Sequence, residues 1–298
     1  MVAVSPTDIL TPEVQGRSLW DDARRRLFAN KAALGSMIIL AIIVLLALVG
    51  PYLTPHKYDE IAWDLVGQNI GPTLKDFHIF GLDADGRDVF VRTLIGARVS
   101  LAVGVVATLV SLVIGVIYGA IAGFVGGKID ELMMRFVDIL YSMPYIFFVI
   151  ILMVVFGRNF VLIFVAIGAV EWLTMARIVR GQTLSIRQRE FIEAARAAGV
   201  GPLTTITRHI VPNVIGPVMV YITLTIPGII LAESFLSFLG LGVQEPLTSW
   251  GRLISEGRQE MEISPWLLIF PGAFMAVTLF CFNFIGDGLR DAFDPKDR

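Results

Sequence analysis

The sequence has little of what soluble enzymes and disulfide-rich proteins use. Only 17% of its 298 residues are charged, whereas soluble domains carry about a quarter. The single Cys281 lies inside a hydrophobic run, which excludes an intrachain disulfide. His56, His78 and His209 are scattered along the chain, with no His-Glu-x-x-His and no cysteine pair. We therefore expect no metalloprotease, no structural zinc site and no metal ligand.

Motifs for nucleotide binding and bond cleavage are also missing. The nearest approach to a Walker A loop, GFVGGKI from Gly123 to Ile129, lacks the first glycine at the right spacing and has Ile129 after its lysine. Neither Gly-x-Ser-x-Gly nor Ser-x-x-Lys occurs. We predict a chain that is not an enzyme, carries no cofactor and has no nucleic-acid partner.

The sequence is instead rich in long hydrophobic runs. Its residues are 55% hydrophobic and the mean hydropathy is +0.74. A hydrocarbon core of about 30 Å needs about 20 apolar residues in a helix, and six runs approach this length. The prediction is an all-α integral membrane protein, in which Glu171 interrupts the fourth span. The six predicted transmembrane helices are 32–55, 99–127, 139–157, 159–176, 210–232 and 263–286.

The distribution of basic residues predicts the topology. Six spans place both termini on one side, and Lys and Arg on that side outnumber those on the other two to one. The positive-inside rule makes that side the cytoplasm. Residues 19–26 resemble a short helix lying at the lipid headgroups. We divide the chain into a cytoplasmic arm 1–31, a first transmembrane helix 32–55, an external loop 56–98, a five-helix core 99–290 with a cytoplasmic segment 177–209 and an external segment 233–262, and a cytoplasmic tail 291–298.

A charged, jointed segment interrupts the apolar pattern between the fourth and fifth spans. We predict a helix from Gln182 to Ala198, since this stretch has good helix formers and no proline or glycine. Gly199 would end it with a positive φ, and Pro202 would start a second helix that lasts to His209. Pro212 would then mark the entry to the fifth span. An amphipathic helix lying on the headgroups is the plain alternative. The small apolar stripe of the first helix would comprise Phe191, Ala194, Ala195 and Ala198.

These residues carry a resemblance. Glu193-Ala194-Ala195, three residues and then Gly199 resemble the EAA signature of the permease subunits of ABC importers. His209 and Val211 replace the Ile and Leu of the family's later Ile-x-Leu-Pro. Further blocks are similar to the peptide-importer branch and to the C subunits of oligopeptide permeases, so that the resemblance covers nearly the whole chain. Those blocks are 16–20, 81–88 (with Leu82 in place of the usual Thr), 96–101, 233–242 and 282–291.

The resemblance implies a type I ABC importer permease fold in a bacterial inner membrane. It implies a homologous sister permease, two cytoplasmic ATPases that bind ATP and Mg, an extracytoplasmic binding protein and oligopeptide cargo. A same-fold importer of dipeptides, nickel or glutathione, an ion-coupled secondary transporter and an intramembrane enzyme are the alternatives. The residues that would couple to an ATPase are Glu193, Ala194, Ala195, Gly199, Gly201 and Pro202.

A few other residues invite a functional interpretation. Glu171 is costly in lipid, so we expect it to contact the sister subunit, line the translocation path or sit near the cytoplasmic interface. Pro217 and Pro227 would kink a path-lining helix. Glu233 would open an external segment that meets the binding protein or packs in the interior. The acidic run at 83–88 predicts a local salt-bridged turn.

Overall fold

The computed structural model describes residues 19–157 and 160–293, and within them it contains eleven α-helices and no β-strand. The ends of the predicted arm and tail, 1–18 and 294–298, lie outside these residues. The helices are α1 (Leu19–Ala29), α2 (Lys31–Val49), α3 (Val89–Val125), α4 (Gly127–Ser142), α5 (Tyr145–Phe156), α6 (Phe160–Ile186), α7 (Glu190–Ala197), α8 (Pro202–Thr205), α9 (Val211–Phe238), α10 (Trp250–Gln259) and α11 (Trp266–Phe293).

The helical segments have the lengths that a membrane requires. Among the described residues, four are long and apolar enough to cross a bilayer: Lys31–Tyr52, Val89–Val125, Pro202–Phe238 and Trp266–Phe293. The helix α6, which covers 160–176 of the predicted fourth span, has 27 residues and is therefore about 40 Å long. The all-α membrane fold is confirmed, and the helices are consistent with six spans.

The predicted third span, 139–157, was wrong as a single helix. The helices Gly127–Ser142 and Ile146–Phe156 are long and apolar enough to cross a bilayer only when taken together, and they meet at a bend of 83°. Met143 is extended, with φ −76° and ψ 133°, because the ring of Pro144 disfavours the helical conformation in the residue before it. A broken helix therefore stands where the hydropathy pattern predicted a straight one.

The closest helix contact joins α3 to α6 through a row of glycines. Gly115, Gly119 and Gly123 share one face of α3, four residues apart. A Cβ at Gly119 would lie 2.4 Å from the carbonyl oxygen of Ala176, and one at Gly123 would lie 2.8 Å from that of Arg180. Small residues at this spacing let two backbones approach in a membrane, where association depends on packing.

The fifth span is longer and less interrupted than predicted. The chain is helical from Pro202 to Phe238, because a π-helical segment, Ile206–Ile210, joins α8 to α9. Pro212 has no N–H, and the N–H of Val211 donates to the carbonyl of Ile206, five residues back. Pro212 lies at the start of α9, where the entry to the fifth span was predicted, but no break separates α8 from α9, since the proline is accommodated inside one continuous segment.

The glycine row yields a stability prediction. Gly119→Ala forces a methyl group against the backbone of α6 and should lower the melting temperature of the detergent-solubilised protein. Gly228→Ala, in the helix α9 with open space around it, should leave it unchanged or raise it, since alanine is the better helix former by about 1 kcal/mol. Equal melting temperatures for the two variants would contradict the close contact.

Candidate coupling site and ion-pair ring

The residues between α7 and α8 form a rigid elbow. Gly199 has φ +77°, its N–H donates to the carbonyl of Arg196 at 3.0 Å, and the N–H of Val200 donates to that of Ala195 at 3.0 Å. This pair of bonds is a Schellman motif, which favours glycine at the left-handed position. Pro202 follows at the first position of α8. The predicted helix end and helix start are both confirmed.

The buried face of α7 differs from the predicted stripe. Ile192 and Ala195 are buried, and Ile192 packs in a cluster with Val179 and Ile210. Phe191, Ala194 and Ala198 are exposed, so that Ala195 alone of the predicted stripe is buried. The predicted stripe therefore combines residues of two faces of α7: a buried face that packs on the rest of the chain, and an exposed face.

The helix predicted from Gln182 to Ala198 is also two helices. The helix α6 ends at Ile186, and Arg189 is extended before α7 begins. No proline or glycine causes the break. The side chain of Arg187 instead donates to the carbonyls of Gly123 and Phe124, at 3.3 and 3.0 Å, which fixes the turn against the end of α3. A long-range contact therefore overrides the local helix propensity.

The predicted coupling residues are brought together on one exposed surface. Glu193, Ala194, Gly199, Gly201 and Pro202 are all exposed, whereas Ala195 is buried. The carboxylate of Glu193 makes no hydrogen bond or ion pair with any residue of the described ranges. The elbow thus presents a free negative charge, small side chains and a fixed backbone.

A closed ring of charges lies at the other end of α9. Three arginines alternate with three carboxylates, which come from the turn before α3, the first turn of α3, the α9–α10 loop and the helix α10. The predicted local turn at 83–88 is confirmed, since Asp83 Oδ1 accepts the N–H of Arg87 at 2.8 Å, but its partners extend over 160 residues along the chain. Around the ring, the ion pairs are Asp83–Arg92, Arg92–Glu256, Glu256–Arg252, Arg252–Glu245, Glu245–Arg87 and Arg87–Asp83.

The electrostatics of the ring keep it ionised. Burial by itself would raise the pKa of the Glu245 carboxyl. The hydrogen bond and charge of Arg87 and the charges of Arg252 and Arg92 outweigh burial, so the pKa lies below its ordinary value. A carboxyl with a lowered pKa stabilises the fold at neutral pH and loses that contribution as the pH falls through the folded pKa.

Glu233 lies in the interior rather than on the external surface. It belongs to α9, is 0% exposed and accepts a hydrogen bond from Ser237 at 2.7 Å. Ser249, the cap of α10, lies 3.4 Å from the hydroxyl of Ser237. In this conformation the side chain of Glu233 is inaccessible to a binding protein. Of the two roles considered from the sequence, packing in the interior is the one that fits.

Glu171 lines an open cavity of about 450 Å³ at the break between α4 and α5, together with Tyr141, Pro144 and Thr174. It forms no hydrogen bond within the described ranges. The helix α9 continues through both Pro217, which is exposed, and Pro227, which is buried. The structure therefore places these two prolines on different surfaces and does not join them to Glu171 in one site.

Comparison with known proteins defines the class. Residues 111–298 match the family of binding-protein-dependent transport system inner membrane components. Residues 18–72 match the N-terminal transmembrane domain of oligopeptide transport permease C. The chain belongs to this permease family: it is a multi-pass inner-membrane subunit of an ABC transporter, distinct from the subunit that hydrolyses ATP.

Individual relatives are similar over nearly the whole chain. The oligopeptide transport system permease protein OppC of Escherichia coli (strain K12) is 60% identical over 286 residues, which cover 96% of this chain and 94% of the relative. OppC of Haemophilus influenzae is 58% identical, with 96% and 91% covered. The dipeptide transport system permease protein DppC of Bacillus subtilis is 46% identical, with 94% and 87% covered.

The ring yields a second stability prediction. Arg92 is 3% exposed, so Arg92→Met leaves the carboxylates of Asp83 and Glu256 short of a partner and should cost about 3 kcal/mol. Thermal melting in detergent measures the effect, and Arg135→Met, at an exposed position of α4, is the matched control. If Arg92→Met and this control have the same melting temperature, the ring does not stabilise the fold.

Proposed function

We propose that this chain is the permease subunit of an ATP-driven importer of oligopeptides and forms half of its translocation path. The observation that carries the proposal is the elbow at Gly199, which is exposed, rigid and joined to the fifth span without a break in the helix. Oligopeptide cargo is supported by the identity to two oligopeptide permeases. A dipeptide importer of the same fold is the alternative that the 46% identical relative supports.

The elbow is the proposed contact with a cytoplasmic ATPase. Glu193 would form charge-assisted hydrogen bonds with a basic group of that partner, and the exposed Ala194 would allow close contact. Gly199, Gly201 and Pro202 would fix the direction of approach, while the buried Ala195 holds α7 to the chain. Two such ATPases, which bind ATP and Mg, would close together and push on the elbows of this chain and its sister.

A push on the elbow has a direct route through the membrane. The helical segment from Pro202 to Phe238 has 37 residues and is about 55 Å long. Its far end carries Glu233 and reaches the helix α10 of the charged ring. We propose that ATP binding tilts this segment, opens the path toward an external binding protein, and that hydrolysis resets it.

The sister subunit would cover the broken helix. The helices α4 and α5 expose Phe136, Phe147, Val154 and Phe156 among others, beside the cavity that Glu171 lines. A half-buried carboxylate in a membrane protein requires a polar partner or water. We place the translocation path along this surface, with Glu171 at the path or at the sister contact.

The proposed topology follows from the elbow. If the elbow contacts an ATPase, both termini and 177–209 are cytoplasmic, and the charged ring and the 56–88 loop are external. The basic residues support this orientation.

Transport in proteoliposomes tests the function. The vesicles hold this chain, its sister permease and the two ATPases, with binding protein outside, ATP inside and labelled tri- to pentapeptides as cargo. Uptake that requires ATP supports the proposal. ATPase activity stimulated by the binding protein without peptide uptake would reject the cargo, and failure to assemble with any ATPase would reject the class.

The elbow itself yields a prediction. Gly199→Val places a β-branched residue at a positive φ, which strains the Schellman motif by about 1 kcal/mol or more. We expect uptake to fall at least tenfold while the variant still inserts in the membrane and ATP hydrolysis no longer responds to the binding protein. Gly181→Val, at an exposed position of α6 with open space around it, is the control. Normal uptake by Gly199→Val would contradict the coupling role.

A further inference from the structure

Two histidines that lie far apart in the sequence meet on the external side. The rings of His56 and His78 stack with centroids 4.4 Å apart and planes 19° apart. Asp88, the cap of α3, joins them, and one ligand-capable atom of each of the three residues lies within 4.8 Å of the others. The sequence reading, in which the histidines were scattered, missed this cluster because the loop between α2 and α3 folds back on itself.

Each imidazole is held through one nitrogen. Nε2 of His56 lies 2.6 Å from the backbone oxygen of Asp76, and Nδ1 of His78 lies 2.9 Å from Oδ2 of Asp88. A carbonyl only accepts, and so does an ionised carboxylate, so these two nitrogens carry the protons when the rings are neutral. The lone pairs are then on Nδ1 of His56 and Nε2 of His78, which form no hydrogen bond within the described ranges.

This is the arrangement of histidines that bind metals. A metal-ligating imidazole commonly donates its second N–H to a carboxylate or a backbone carbonyl, which fixes the tautomer and turns the other nitrogen toward the ion. Both histidines have such a partner here. A cavity of about 470 Å³ is lined by both histidines and by the carboxyl-bearing residues Glu60, Asp64 and Asp76, which leaves room for an ion and its remaining ligands.

We infer that His56 and His78 bind a divalent transition-metal ion, with Asp88 as the outer-shell carboxylate that orients His78. Two imidazoles, completed by a carboxylate from the cavity lining, suit zinc and its neighbours, whereas calcium and magnesium prefer oxygen ligands alone. Nitrogen ligands about 2.1 Å from a tetrahedral zinc ion are about 3.4 Å apart. The ligand-capable atoms lie within 4.8 Å of one another, and the two rings are stacked. Binding the ion therefore needs the half-buried His56 to move closer and turn its ring, while His78 and Asp88 are buried.

The ion would join two distant parts of the chain. His56 follows the end of α2, whereas Asp88 caps α3 through the N–H of Val91 at 2.9 Å. A metal ion would thus tie the loop after the first span to the start of the second. The site lies outside the elbow, and its occupation is independent of the proposed cargo.

Titration of the purified full chain with Zn²⁺ tests the site. The chain is purified in detergent without a polyhistidine tag, and binding is followed by calorimetry at pH 7.5. We expect one Zn²⁺ per chain, and His56→Gln should weaken binding at least tenfold. His209→Gln is the matched control, because it removes the remaining histidine of the chain on the π-helical segment and should leave zinc binding unchanged.

Zinc absorption spectroscopy on the loaded chain gives a second readout. Two imidazole nitrogens in the zinc shell support the site, and an all-oxygen shell overturns it. Zinc binding that survives His56→Gln, or that is lost in His209→Gln, also overturns it. The deciding variant is His56→Gln, since His56 is partly exposed and its substitution disturbs the fold less than that of the buried His78.

Discussion

The structure depends on one uninterrupted helical segment, Pro202–Phe238. Proline at position 212 would ordinarily end or kink a helix, because it lacks an N–H and its ring meets the preceding turn. Here the π-helical turn Ile206–Ile210 lets the helix continue through the proline. The side chain of Asn213 also donates, through Nδ2, to the carbonyl of His209 at 2.6 Å. The elbow at Gly199 consequently lies directly at the N-terminal end of this long helical segment. Force on the elbow can reach the far end of the span, at Phe238, without passing through a flexible joint.

The rest of the chain holds this segment at defined points. Near the elbow, Ile192 and Ile210 share a buried cluster with residues of α3 and α6, whose backbones meet across a row of glycines. At the end opposite the elbow, α10 packs against α9 and α11, and the ion-pair ring ties α10 to the start of α3. The broken helix α4–α5 packs on α6 and exposes large apolar side chains, as α2, α3 and α11 also do. What distinguishes the surface of α4–α5 is the cavity at its break, which Glu171 lines.

The sequence predicts those parts of the fold that depend on single residues or on a short stretch of the chain. Apolar run length located the spans, and Gly199 and Pro202 marked the elbow because positive φ and a missing N–H are properties of single residues. Long-range contacts decided the rest. Arg187 split one predicted helix by binding the end of α3, and Glu233 is buried because α10 folds over it. The glycine row on α3 was readable from the sequence, since its spacing of four is a known signal of helix contact, but hydropathy analysis does not look for it.

Distances between spin labels test the central claim, that the elbow and the fifth span move as one body. Labels at Leu203→Cys and Leu231→Cys, in a Cys281→Ser background, are 28 residues apart and should lie about 42 Å apart along one helix. Both native side chains are exposed. In the assembled transporter, the account predicts the same single distance in ATP-free and vanadate-trapped states, while a Leu231–Leu45 pair changes. A Leu203–Leu231 distance that shortens or splits on trapping would show a hinge inside the segment and contradict the account.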